Sequence, residues 1–389
     1  MSRSGIRLKQ ALSILQQLDP GKPLAVQFKA LSRQHKEWGG RDRRELRQML
    51  YSWFRMGKAL EIEADKPSLL QWSLFLYATE FQSWIHEWQQ EGVFPQEVQW
   101  KDDFEARKAD FRRHWNFEEP FFPLSDAISD QVPLEELETA LAASAQTWLR
   151  PLPNKLQEIQ SQLRIKDISY EVIEGAIGVK AGIDLETLFD HKLARFAEIQ
   201  DIASQQVIRQ LDWNRQRVWD TCAASGGKAL QISQEYQPAS LLCTDVRPGI
   251  LENLKTRFRQ ANKGIPQTQV LDLGQEGNPP SLPLFDAILC DVPCSGSGTF
   301  ARTPEAMHTM DQERLMHYVG LQERIVRNAS RQLDAGAQLL YATCSVYQQE
   351  NEGHSALFES FGLRLEKQGY FNFLPQGGDV LYFALFKKA

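Results

Sequence analysis

Two cysteine-bearing segments, Asp291-Val292-Pro293-Cys294-Ser295-Gly296-Ser297-Gly298 and Tyr341-Ala342-Thr343-Cys344-Ser345, place their thiols 50 residues apart in the carboxy-terminal half. Upstream of both lies a Gly-containing turn, Asp220-Thr221-Cys222-Ala223-Ala224-Ser225-Gly226-Gly227-Lys228. A thiol at the end of a buried strand can present a thiolate nucleophile to a flat substrate beside a bound cofactor. The combination points to cysteine-dependent methyl transfer onto a pyrimidine ring, although no one of these segments would carry that reading alone.

The elements that must position these residues show in the hydrophobic pattern. Arg217–Asp220, Ser240–Asp245, Thr268–Asp272, Phe285–Asp291 and Gln338–Thr343 are apolar runs of strand length, most of them separated by helical stretches. Such alternation predicts a doubly wound, mainly parallel sheet. Four of the five runs end in an acid, so carboxylates collect at the carboxyl edge of the sheet, where open α/β folds bind ligands. Asp245 follows Asp220 by 25 residues, a spacing that suits a carboxylate receiving ribose hydroxyls, and glycines in the turn would let the backbone approach a ligand. The same layout serves dinucleotide-dependent dehydrogenases. The turn is not G-x-G-x-x-G, however, which argues against a pyrophosphate.

Upstream the texture differs. From Ile6 to Leu60 apolar residues recur at helical spacing, and residues 68–140 continue helical with breaks at Pro120, Pro123 and Pro133. The six aromatics between Trp72 and Trp88 are read as core. From about Gln146, short alternating runs such as Ile168–Val172 predict a small α/β unit of about 50 residues. The expected organisation is a helical domain over 1–145, a small α/β domain over 146–200 and the sheet-based domain over 201–389.

Composition bounds the function. The 389 residues are 42% hydrophobic, enough for more than one core. The absence of an apolar run of roughly 20 residues and the polar start lead to the expectation of a cytoplasmic protein. Five cysteines, all in the last 170 residues, fit reduced thiols better than a disulfide framework, and their spacing offers no zinc site. The net charge of −6 conceals a basic front end: residues 1–60 hold 13 Lys and Arg against 4 Asp and Glu, a net of +9, and residues 61–150 carry −11. That segment can supply phosphate contacts, although charge density by itself describes a solvated helix face equally well.

Taken together, the segments Asp220–Lys228, Asp291–Gly298, Thr343-Cys344-Ser345 with Glu350-Asn351-Glu352, and Gly377-Gly378-Asp379 ahead of Phe383–Lys387 resemble the RNA cytosine-5 methyltransferases of the RsmB/Sun type. Phe196–Ser204 and Leu149–Lys155 resemble that family's preceding and central segments, and Gly40–Arg44 with Tyr51 and Arg55 resembles its NusB-like helical domain. The resemblance implies a Rossmann-like, seven-stranded methyltransferase domain, S-adenosylmethionine as cofactor and RNA, ribosomal RNA first, as partner; the chain is read as a monomer. By resemblance Cys344 is the nucleophile that adds to cytosine carbon 6, and Cys294 assists release. Asp291 would hydrogen-bond the cytosine edge, with Lys228 orienting it and lowering a thiol pKa.

Cofactor contacts carry over as Cys222, Ala223, Ala224, Ser225, Gly226, Gly227 and Lys228 around the methionine part. Asp245 falls on the ribose, Asp272 near the adenine and Asp291 near the methionine amino group. Cys243 and Cys290 are read as small buried hydrophobes. The sequence departs from the family at Ser225 and Val292, where proline and alanine are usual, at Thr303-Pro304-Glu305 and at Val380. Ser225 frees a φ angle that proline would fix. Two alternatives stay open: a non-catalytic RNA-binding assembly or antitermination factor that keeps the domain as a scaffold, and a DNA cytosine methyltransferase, which would leave the Thr-Cys element unexplained.

Overall fold

The computed structural model describes residues 2–96, 98–143, 145–276 and 282–389. The chain divides into two compact units. The first comprises Met1–Asp126, Pro133–Ala143 and Thr299–Gln312; the second comprises Ala127–Val132, Ser144–Gly298 and Glu313–Ala389.

The first unit is helical: α1 (Arg3–Leu15), α2 (Leu24–Gln34), α3 (Gly40–Arg55), α4 (Lys66–Tyr77), α5 (Ile85–Gln90), α6 (Phe104–Trp115) and α7 (Leu134–Ala142). Side-chain caps start several of them. Ser2 accepts from the Gly5 amide at 3.2 Å, Asp65 from that of Ser68 at 2.9 Å, and Asp103 from those of Glu105 and Ala106. Helix α4 is apolar around its circumference and buried from Leu69 to Tyr77, which makes it the centre of the unit. Trp72 on α4 packs against Phe75, Phe94 and Phe111 with ring centroids 4.5–5.8 Å apart, and Phe81 and Trp88 are also buried, so most of the aromatic run is core as expected. The segment 299–312 belongs to this unit. Glu305 Oε1 accepts from the Leu24 amide at 2.8 Å, and the His308 ring meets the Phe54 carbonyl at 3.1 Å.

The second unit contains two sheets. Strands β1 (Gln146–Pro151), β2 (Tyr170–Ile173), β3 (Ala176–Lys180) and β4 (Ala197–Ile199) form an antiparallel sheet in the order β2-β3-β1-β4. Its core is Leu149, Ile177 and Val179, packed with Ile159 and Leu163 from α8 (Leu156–Ile165) and Leu185 from α9 (Leu185–Leu188).

The larger sheet has seven strands in the order β10-β11-β9-β8-β5-β6-β7: β5 (Arg217–Asp220), β6 (Ser240–Asp245), β7 (Gln267–Val270), β8 (Phe285–Asp291), β9 (Leu333–Thr343), β10 (Leu363–Asn372) and β11 (Val380–Lys388). Strands β5 to β9 pair in parallel, and β10 and β11 close one edge antiparallel. Alternate strand residues serve opposite faces. Val218, Cys243, Leu289 and Leu340 pack with Ala203 and Val207 of α10 (Ile202–Ile208), Leu230 of α11 (Gly227–Glu235) and Leu254 of α12 (Pro248–Gln260). Trp219, Leu242, Ile288 and Tyr341 pack with Ile325 of α13 (Gln312–Ser330) and Phe358 of α14 (Ser355–Glu359). Both faces of the inner strands are covered, which is why these read as continuous apolar runs, whereas the edge strand β7 is polar and largely exposed. The chain direction across the sheet reverses between β5 and β8, so the carboxyl ends of those two strands border the crevice where doubly wound sheets bind ligands.

Candidate active site

Strand β5 delivers Asp220 to that crevice, and the turn after it is tied down by its neighbours. Thr221 N donates to the Leu289 carbonyl at 3.0 Å, Ala223 N to that of Thr244 at 2.8 Å, and Ala224 N to Asp245 Oδ2 at 3.0 Å. Those bonds hold Ala224 at φ 46° and Gly226 at φ 79°, both left-handed, a conformation that strains alanine and suits glycine. A Cβ on Gly226 would lie 2.6 Å from Leu254 Cγ. At this position the glycine admits Leu254 of α12 against the turn.

Three carboxylates edge the crevice in different states. Asp220 is 1% exposed, and its Oδ1 has no hydrogen-bond partner among the described residues. Burial, with the Asp291 carboxylate adding to it, pushes its pKa up to about 8. Asp245 is also buried, but Arg247 donates its amide, Nε and Nη2 to it at 2.9–3.0 Å. Burial works to raise this carboxyl, and the Arg247 hydrogen bonds outweigh it and leave it below the usual carboxylate range. Asp272 lies exposed two residues beyond β7, its Oδ1 accepting from Gly274 N at 2.9 Å.

The thiols come from adjacent strands. Cys294 follows the end of β8 and Cys344 the end of β9, and their sulfurs are 3.3 Å apart. Gly298 N donates to the Cys344 carbonyl at 2.9 Å, and a Cβ at Gly298 would fall 2.2 Å from the Val380 carbonyl oxygen, so only glycine fits. Beside the pair, Lys228 Nζ donates to Asp291 Oδ2 at 2.7 Å. Burial pulls the Lys228 ammonium down, but the adjoining Asp291 more than offsets this and raises it. The hydrogen bond from Cys294 holds the Cys344 thiol below its ordinary range against burial and Asp291, with Lys228 also favouring the thiolate. The same bond, with burial and Glu350, drives Cys294 well up. The arrangement presents one thiolate-prone sulfur, one proton-holding sulfur and an ion pair, a set suited to nucleophilic attack with local proton transfer.

Residues 210–369 match the family described as 16S rRNA methyltransferase RsmB/F. Residues 210–369 thus resemble an RsmB/F-type methyltransferase domain. Among curated relatives, the ribosomal RNA small subunit methyltransferase B of Sodalis glossinidius is 33% identical over 165 residues, 41% of this chain and 37% of that protein. Its counterpart from Xanthomonas campestris is 33% identical over 161 residues, 40% of this chain and 36% of the relative. The alignments thus span little more than a third of those relatives. Among solved structures, one designated PH0851 superposes with a TM-score of 0.68 at 17% identity, covering 100% of this chain and 99% of that one. NSun6 from Pyrococcus horikoshii gives 0.56 at 14% identity over 66% and 94%. These likenesses establish the fold.

Within the RsmB/F-like domain, Cys344, Cys294, Asp291 and Lys228 converge. The turn from Cys222 to Lys228 and Asp245 lie at the neighbouring strand ends, and Asp272 stands at the exposed side. Cys243 and Cys290 are fully buried, as expected for apolar thiols. The residues could hold an amino-acid nucleoside: Asp220 Oδ1 lacks the donor that an ammonium would supply, and ribose hydroxyls could replace the side chain of the exposed Arg247 on Asp245. Sequence reasoning gave no role to Asp220, Gln322 or Glu350. Glu350 is completely buried and accepts hydrogen bonds from the residues that follow both cysteines; its only signal was the Glu350-Asn351-Glu352 run.

In the helical unit, Arg41 donates to Glu45 at 3.0 Å, and Arg7 reaches Asp42 and Glu45. Arg43 and Arg44 are exposed, with no ion pair among the described residues. Arg41 thus pairs along its own helix, and Arg43 and Arg44 point at solvent.

Proposed function

We propose that this protein transfers a methyl group from S-adenosylmethionine to carbon 5 of a cytosine in RNA, through a covalent adduct with Cys344, and that the RNA is small-subunit ribosomal RNA. The observation that carries the reading is the thiol pair at 3.3 Å beside the Lys228–Asp291 ion pair at the switch point of a methyltransferase sheet. The names of the curated relatives support the choice of RNA.

The cofactor supplies an electrophilic methyl group. Asp220 is placed to receive its ammonium and Asp245 its ribose hydroxyls, with the turn from Cys222 to Lys228 around the methionine part. Asp272 lies toward the adenine. Carbon 5 of cytosine is a weak nucleophile, which is what the thiols address. The Cys344 sulfur bonds to carbon 6, and the ring double-bond electrons shift toward nitrogen 3, where Asp291, oriented by Lys228, helps hold a proton. The resulting enamine gives carbon 5 the electron pair that takes the methyl. Once the Cys344 sulfur is bonded to carbon, the hydrogen bond that chiefly keeps the proton on Cys294 is gone; Cys294 gives that proton to solvent and then accepts the one on carbon 5. The electrons of that C–H bond restore the ring double bond, the carbon–sulfur bond breaks, and Cys344 leaves as thiolate, the form its surroundings favour. One proton is released per methyl transferred. Arg43 and Arg44 on α3 are placed to meet RNA phosphates.

Bisulfite sequencing of small-subunit ribosomal RNA from cells with and without this protein tests the reading. A cytosine protected only when the protein is present supports it. Identical profiles, together with no methyl transfer by the purified protein to unmethylated small-subunit RNA, would refute it.

A further inference from the structure

The two cysteine-bearing turns are joined through one carboxylate. Glu350 is 0% exposed and lies in a short 3-10 turn after β9, anchored by Tyr341 OH donating to its carbonyl at 2.7 Å. Its Oε1 accepts from Ser295 N at 2.8 Å and Gln322 Nε2 at 2.9 Å, and its Oε2 from the hydroxyls of Ser295 and Ser345. Ser295 follows Cys294 and Ser345 follows Cys344, so a single side chain grips the residue next to each thiol. Gln322 also donates to the Pro293 carbonyl at 3.0 Å, on the other side of Cys294, and His354 meets Gln322 Oε1 at 3.0 Å. Cys294 is thereby held from both flanks.

A buried carboxylate with four donors is rigid, because moving any one of them would leave a charged or polar group without a partner in a dry interior. We propose that Glu350 is a positioning residue that sets the distance between the two sulfurs, and through it the division into an attacking thiolate and a proton-holding thiol. This rests on the methyltransferase reading above for its purpose, though not for its geometry. A carboxylate that merely filled the loop would leave the thiol separation to the strands, which already place β8 and β9 side by side.

The test uses the full chain without RNA or methyl donor. Diamide takes up two electrons and two protons as two thiols join into a disulfide, so the rate of Cys294–Cys344 closure, read by peptide mapping, reports how well the sulfurs are held. Glu350→Gln turns an acceptor toward Ser295 and Ser345 into a group that also carries donors facing Gln322, and Ser345→Ala removes one anchor without burying anything new. Closure is expected to slow roughly 10- to 100-fold in Glu350→Gln, as for a displacement on the order of 1 Å between reacting groups, and less in Ser345→Ala. Iodoacetamide labelling of Cys243 and Cys290, both 0% exposed, monitors the fold. Wild-type closure rates in a variant that keeps those two thiols protected would overturn the proposal. Should Glu350→Gln expose them, Ser345→Ala decides alone: slowed closure upholds the proposal and wild-type closure overturns it. Because the readout involves no methyl transfer, an inactive enzyme with normal coupling would refute the proposed function only, and an active one with uncoupled closure would refute only the role of Glu350.

Discussion

Replacing Asp220 by Asn is expected to stabilise the protein at pH 8 and to change little near pH 4. The side chain is buried at the end of β5 with Oδ1 unpartnered, and its pKa stands at about 8 against 3.8 for a free carboxyl. Between those values the folded protein keeps a proton that the unfolded chain has lost, so the unfolded state binds fewer protons and stability falls with rising pH. The contribution is fully present below about pH 3.8 and is lost as the pH climbs through about 8. At about 1.4 kcal/mol per pH unit, the window of roughly four units corresponds to about 6 kcal/mol, of which about 4 kcal/mol lies between pH 5 and 8. Asn has the same shape and no proton to keep, so it removes this dependence. Calorimetric melting of the two proteins at pH 5, 6, 7 and 8 should show a gap in Tm that widens with pH, by about 2–4 degrees per kcal/mol for the unit containing the site. A gap of constant size across the series would show that Asp220 is ionised throughout and that its environment has been misread.

Asp245→Ala should weaken S-adenosylmethionine binding about 10- to 150-fold, the equivalent of roughly 1.5–3 kcal/mol in charge-assisted hydrogen bonds, and unchanged affinity in calorimetry would contradict its place on the ribose. Reversing Arg43 and Arg44 to Glu should flatten the salt dependence of RNA binding by roughly 0.7–0.9 log unit per lost contact, whereas Arg41→Glu, which breaks the bond to Glu45, should instead lower the melting temperature. An unaltered slope in the double variant would move the RNA contact elsewhere. Cys294→Ala removes the hydrogen bond that lowers the Cys344 pKa, so the pH midpoint for alkylation of Cys344 should rise, as mass spectrometry of the labelled peptide would report.

Much of this arrangement was legible in the sequence because it depends on local pattern. Runs apolar on both faces gave the parallel strands, and the acids that end them marked the crevice. The two cysteine segments showed as strand ends, and the structure brings their sulfurs to 3.3 Å. Strand β9 starts at Leu333, well before the expected Gln338, because its first residues pair with β8 across a shift in register. Strand β10 does not show in the periodicity, because it carries the exposed run Glu366-Lys367-Gln368 with a bulge at Glu366, whereas β11 is a continuous apolar run. What stayed hidden depends on distant partners. Glu350 sits in a polar stretch that reads as solvent-exposed, and only the arrival of Ser295, Ser345 and Gln322 makes its burial tolerable. Segment 299–312 follows a cysteine motif by a few residues, yet its Glu305 bonds to Leu24, 281 residues away. The Gly226 turn shows in the sequence, but not that Leu254 of α12 presses against it.

The central claim is that Cys344 attacks and Cys294 releases. Purified Cys294→Ala, incubated with unmethylated small-subunit ribosomal RNA and S-adenosylmethionine and then boiled in detergent, should retain a covalent protein–RNA adduct whose cross-linked peptide contains Cys344. Cys344→Ala should give neither adduct nor methylation. An adduct that forms only in Cys344→Ala, joined through Cys294, would contradict the account and exchange the roles of the two thiols.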